Sequence, residues 1–149
     1  MRRAWGAALL LAAAAGCVSG PSDIDDELEE NRRRWEDQEI LDYEVVFRNV
    51  CFCTPDYTAP VRLRVRGGRI AAVTRESDGT AVSPDQWDRY RTVDQTFDEI
   101  EDAMRRGADQ VTAEYHPVLG YPTDAFIDEN EGLADEERGF QLSDLLPLR

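Results

Sequence analysis

The sequence has no lysine: all 17 basic residues are arginine, against 31 acidic ones, for a formal charge of −14 over 149 residues. It carries one histidine, three cysteines and two methionines. Each scarcity excludes something. So negative a chain is the wrong footprint for nucleic acid, whose binders are usually basic. With His116 as the single histidine, no four-donor zinc set can be assembled. No Gly-x-Ser-x-Gly elbow occurs, and no phosphate-cradling glycine loop. No apolar run reaches the roughly 20 residues that a membrane-spanning helix needs. The expectation is a protein that is not an enzyme and that holds no metal or cofactor. What is present is a hydrophobic fraction of 42%, enough for one core. The length suits a single small domain.

The N-terminus reads as an address. Arg2 and Arg3 precede an apolar stretch from Ala4 to Ala15, and Ala14, Ala15 and Gly16 lead directly into Cys17. A short apolar segment behind a positive start is a secretory signal rather than a span. The small residues before Cys17 resemble the lipobox of bacterial lipoproteins, with Ala14 where leucine is commoner. That resemblance implies a signal peptide at 1–16, cleavage before Cys17, and acylation of Cys17 as the lipid anchor. Two or three acyl chains hold far more firmly than one. Val18 and Ser19 follow, not the aspartate associated with inner-membrane retention in enteric-type bacteria. The expected address is therefore the cell envelope, at the outer membrane on its periplasmic or surface side. Residues 17–23 read as a lipidated cysteine and flexible tether, and 24–149 as one domain. Loss of Arg2 and Arg3 would take the formal charge to −16.

Within the domain, Ser22 is the expected cap of a first helix, with Asp25 at capping-box spacing and Ile24, Leu28 and Trp35 on one face. Residues 42–53 alternate with period two and are apolar on both faces, which predicts a central strand. Residues 54–60 and 76–91 read as loops. Residues 61–74 predict a hairpin around Gly67-Gly68, since two glycines supply the positive φ angles of a type I′ turn. This register sets Val65 opposite Ile70 and Leu63 opposite Ala72, with Arg62, Arg64, Arg66 and Arg69 on the other face. Thr92 and Gln95 form a capping box for a helix carrying Val93, Phe97, Ile100 and Met104 on one side and ending at Gly107. Three more strands follow, at 110–115, 123–128 and around Phe140 to Leu146. The predicted class is α+β, a mostly antiparallel sheet of about six strands with two helices on one face, in the order α-βββ-α-βββ.

Six segments together resemble a family of uncharacterised bacterial secreted proteins and lipoproteins. They are Cys-Phe-Cys at 51–53 and Pro-Val-Arg-Leu-Arg-Val-Arg-Gly-Gly at 60–68, then Thr-Val-Asp-x-x-Phe-Asp-x-Ile at 92–100. Val-Thr-x-x-Tyr-His-Pro-x-Leu-Gly-Tyr-Pro at 111–122 and Ile-Asp at 127–128 follow. Asp-Glu-x-x-Gly-Phe-x-Leu-Ser-Asp at 135–144 closes the set. The likeness spans residues 35–148. It implies a fold and an envelope address, and no catalytic role.

Four features invite a functional reading. Cys51 and Cys53 are the two thiols left once Cys17 is acylated. In an ideal strand their Cα atoms would stand about 6.5–7 Å apart, the outer limit for a disulfide, so a bulge or turn at Phe52 is needed to join them. A structural disulfide, buried free thiols and a redox couple all remain open. Arg62, Arg64, Arg66 and Arg69, with Arg48, form a basic stripe suited to anionic head groups or an acidic partner. The plainer reading pairs them with the chain's own carboxylates such as Glu44. The acidic run over 128–137 fails the EF-hand pattern and reads as a solvated turn. His116, before Pro117, reads as a turn residue. The expected function is a lipid-anchored envelope module that binds a protein or envelope polymer and contacts the membrane through Cys17. Its alternatives are a thiol–disulfide redox module using Cys51 and Cys53, or a carrier of a small hydrophobic ligand.

Overall fold

A computed structural model describes residues 21–133 and 135–149. The signal segment, Cys17 and residues 18–20 of the tether lie outside the described residues. Helix α1 spans Pro21–Glu36. Proline suits a first helical turn, where its missing N–H would have no partner in any case. The helix thus starts before Ser22, and the last three residues of the expected tether are helical.

The remaining elements are strand β1 (Tyr43–Cys51), the single turn of helix α2 (Pro55–Thr58), strands β2 (Val61–Arg66) and β3 (Arg69–Arg75), and a 3-10 helix (Pro84–Arg89). Helix α3 (Val93–Arg106) and strands β4 (Gln110–Tyr115), β5 (Pro122–Asp128) and β6 (Arg138–Pro147) complete the chain. The fold is α+β. Six antiparallel strands form one sheet in the order β3-β2-β1-β6-β5-β4. Two consecutive three-stranded meanders are therefore joined where β1 pairs with β6. The two short helices stand inside segments expected to be loops. Both have proline in the first turn.

The core follows from period-two burial. Tyr43, Val45 and Phe47 of β1, Val61, Leu63 and Val65 of β2, and Phe140 and Leu142 of β6 point inward. Phe97 and Ile100 of α3 and Leu28 and Trp35 of α1 meet them. Trp35 sets its ring edge-on to Tyr43 and Tyr121 and donates its Nε1 proton to Asp94 at 2.9 Å. Tyr90, from the segment read as a polar loop, is buried edge-on against Phe47.

The 61–75 hairpin corrects one expectation. Val65 does stand opposite Ile70, across Gly67 and Gly68 with φ of +55° and +72°. A register shift between Arg64 and Val65 then places Leu63 opposite Val73 rather than Ala72, and Ala72 opposite Arg64. An extra residue on one strand rotates the pairing by one, so Val73 rather than Ala72 enters the core.

The Tyr-His-Pro-x-Leu-Gly-Tyr-Pro motif proves architectural. Gly120 has φ +83°, and a Cβ there would lie 2.5 Å from the Asn31 carbonyl oxygen. Only glycine lets this turn seat on α1.

Two ends of the sheet can now be distinguished. Cys51, Gln110, Asp128 and Arg138 share one end; Tyr43, Tyr115, Pro122 and Pro147 share the other. Helix α1 runs antiparallel to α3: Arg32 bridges Asp98 and Glu101, and Trp35 reaches Asp94. Ile24, near the start of α1, borders the same cavity as Met104 and Gly107 at the end of α3. The start of α1 therefore lies at the Cys51 end.

Candidate functional site

β1 pairs with β2 only as far as Phe47 and with β6 as far as Cys51, its last residue. There a disulfide joins Cys51 to Cys53 with the Cα atoms 5.2 Å apart. Two rises of an extended strand span about 6.6 Å, so the backbone bends at this point. The strand predicted over 42–53 is shortened accordingly. Phe52 leaves the sheet and stands 83% exposed, the most exposed large hydrophobic side chain among the described residues. Sequence reasoning gave Phe52 a strand face and missed this. The available signal was the pair itself, since a bridge between residues i and i+2 turns the middle side chain outward.

A cleft of about 330 Å³ lies beside the bridge, bordered by Asn49, Tyr57, Arg91, Glu99, Glu136 and Arg138 among others. Asn49 donates from Nδ2 to the carbonyls of Tyr57 and Arg89, which ties α2 and the 3-10 helix to β1. Glu99 stands between Arg91 at 3.4 Å and Arg138 at 3.3 Å. Arg138 also reaches Glu129 at 2.7 Å, as does Arg106. Hydrogen bonds from Arg106 and then Arg138 hold the Glu129 carboxyl below the usual glutamate range. One oxygen of Glu136, Oε1, is buried without a hydrogen-bond partner among the described residues. These cations and carboxylates largely neutralise each other.

The arginines expected to make a basic stripe sit on one hairpin, but three face carboxylates. Arg62 reaches Glu76 at 2.8 Å, Arg64 reaches Glu44 at 2.6 Å and Arg66 reaches Asp42 at 2.9 Å. The Gly67 N–H and then Arg66 hold the Asp42 carboxyl low. Arg69 and Arg48 are exposed and stand in no ion pair among the described residues.

The acidic run is also used locally. Asp128 accepts from the Asn130 N–H, Asn130 from the Gly132 N–H, and Asp109 from the Glu131 N–H. Among the described residues no cluster of three metal-ligating side chains occurs. His116 accepts at Nδ1 from the backbone N–H groups of Val118 and Leu119, and its ring stacks on Tyr121 at 4.9 Å. It closes the turn that docks on α1.

One more cavity, of about 730 Å³, opens between the start of α1, the end of α3 and β4. Ile24, Met104, Ala108 and Val111 give it an apolar wall, and Asp25 and Arg105 a charged rim. Among the described residues no helix is long and apolar enough to cross a membrane.

The profile of DUF6174, described as a family of unknown function, covers residues 27–147. No curated protein and no solved structure matches the chain.

Proposed function

Because the chain belongs to DUF6174, a family of unknown function, membership brings no activity with it, and we propose that this protein is a lipid-anchored component of the cell envelope, a non-enzymatic module that binds or braces another envelope component. The observation that carries this reading is a juxtaposition. The Ala-Ala-Gly-Cys segment ends at Cys17, and the folded domain begins with α1 at Pro21. An acylated cysteine this close holds the domain against the bilayer rather than on a long leash. The finer picture of two helices backing one sheet face, with the opposite face open to a partner, belongs to the same proposal. It is supported by the inward burial of alternate β1 and β2 residues.

The test is metabolic labelling with a radioactive or clickable palmitate in cells expressing the full chain. The wild type should take up label, and its N-terminal peptide should begin at an acylated Cys17. Cys17→Ser should take up none. A wild-type chain that stays unlabelled and keeps residues 1–16 removes the anchor.

A second reading, thiol–disulfide exchange through Cys51 and Cys53, is favoured by the exposure of Cys53 at the tip. Alkylation after equilibration in graded glutathione buffers decides it. A potential below roughly −300 mV marks a structural bridge, and one near −200 mV an exchanging one. The cavity beside α1 supports the carrier alternative, since about 730 Å³ is within the usual range of small-molecule sites.

A further inference from the structure

We infer that the disulfide-held tip at Phe52 is a second membrane contact, whose occupant is the lipid surface itself. This rests on the anchor reading above and adds to it an orientation.

The start of α1 and the Cys51–Cys53 bridge lie at the same end of the sheet. Only four residue steps separate Cys17 from Pro21, a reach of about 14 Å when fully extended. An acylated Cys17 therefore brings that end, and not the Tyr43 end, to the bilayer. β1 and β4 are three strand spacings apart, roughly 14 Å. The tip stands beside the anchor at a distance that one small domain can bring flat to a surface.

The chemistry of the tip fits that position. Phe52 is 83% exposed, on a bridged turn that cannot fold it back into the core. An exposed phenylalanine gains by burying its apolar ring at the boundary of head groups and acyl chains, as Trp, Phe and Leu do on interfacial segments. Val50, near the end of β1, and Leu133, in the loop at this end, are also exposed. Arg48, two residues before Val50 and in no ion pair among the described residues, is set back from the tip where a guanidinium can meet lipid phosphate. The carboxylates of the 129–137 loop limit the contact to a shallow one and favour zwitterionic lipid over anionic lipid.

The experiment uses the full acylated chain, purified from membranes and reconstituted into phosphatidylcholine vesicles with brominated acyl chains. Phe52→Trp places a reporter at the tip. Leu41→Trp places one at the opposite end, where Leu41 is 61% exposed. With wild-type emission subtracted, the Trp at 52 should lose at least half its intensity against unbrominated vesicles, and the Trp at 41 should keep its intensity. Equal quenching of both, or of neither, on protein that floats with the vesicles overturns the tip contact and leaves the anchor standing. Protein that does not float with vesicles overturns the anchor, and the tip contact falls with it. Matching melting temperatures of both variants and the wild type exclude misfolding as the cause.

Discussion

At the scale of single residues, two buried phenols show how one atom can have opposite value. Tyr43 Oη accepts the N–H of Val93 at 2.8 Å, at the start of α3, where no helical carbonyl is available. Tyr115 Oη is buried with no hydrogen-bond partner among the described residues, and its ring stacks on Phe97. Burial pushes both phenols above the ordinary tyrosine range. Removing each hydroxyl should therefore act in opposite directions. Tyr43→Phe strands a buried donor and should cost about 1–3 kcal/mol. Tyr115→Phe relieves an unsatisfied oxygen and should be neutral or stabilise by up to about 1 kcal/mol. Urea titration of the two variants reads the difference directly, and equal losses would show that Tyr115 Oη finds a partner in solution. His116 shows the same economy at a turn, where one nitrogen satisfies two backbone donors.

At the scale of elements, the capping box on α3 was legible from four letters, Thr92 to Gln95, and the structure builds it. Thr92 Oγ1 accepts from the Gln95 N–H, and the Gln95 side chain accepts from the Thr92 N–H. Thr92→Ala should cost about 1–2 kcal/mol, visible as a lower melting temperature without loss of cooperativity. The hairpin turn and the strand at 110–115 were legible for similar reasons: a local rule decides them within a few residues. The shift between Arg64 and Val65 was not, because a bulge in Arg-Leu-Arg-Val-Arg leaves no mark on the alternation and is decided by packing of Val73. Nor were α2 and the 3-10 helix, short segments fixed by their anchorage to Asn49 and to the Trp87–Val82 hydrogen bond rather than by periodicity. The candidate site divides the same way. The cysteine pair could be read from its spacing, whereas the exposure of Phe52 depends on where β1 stops. The pairing of the hairpin arginines depends on Asp42, Glu44 and Glu76, all three of which lie outside that hairpin.

At the scale of the whole molecule, an acidic chain is stitched by arginines across elements. Arg138 links β6 to α3 and to the 129–137 loop, Arg32 links α1 to α3, and Arg75 links β3 to Asp56 in α2. Arg106 and then Arg138 hold the Glu129 carboxyl low, Arg75 holds Asp56 low, and the Gly67 N–H and then Arg66 hold Asp42 low. A carboxyl whose pKa is lower folded than unfolded contributes stability above its unfolded value, and loses it as pH falls through the folded one. Melting temperature should thus be nearly flat from pH 7 to about 5 and fall below about 4. A melting temperature that climbs steadily toward pH 3 would show that relief of negative charge outweighs these pairs. The seam between the two meanders has a consequence in time as well as in space. β1 is finished early, yet its neighbour on one side is β6, and Cys51 must wait for Arg138 to be made. At ordinary synthesis speeds of about 5–20 residues per second, that is a delay of roughly 4–20 s. Throughout it, the strand bearing Tyr43, Val45 and Phe47 has an open edge. The newborn chain is at its stickiest in that interval, and a chaperone that shields unpaired strands would find its client there.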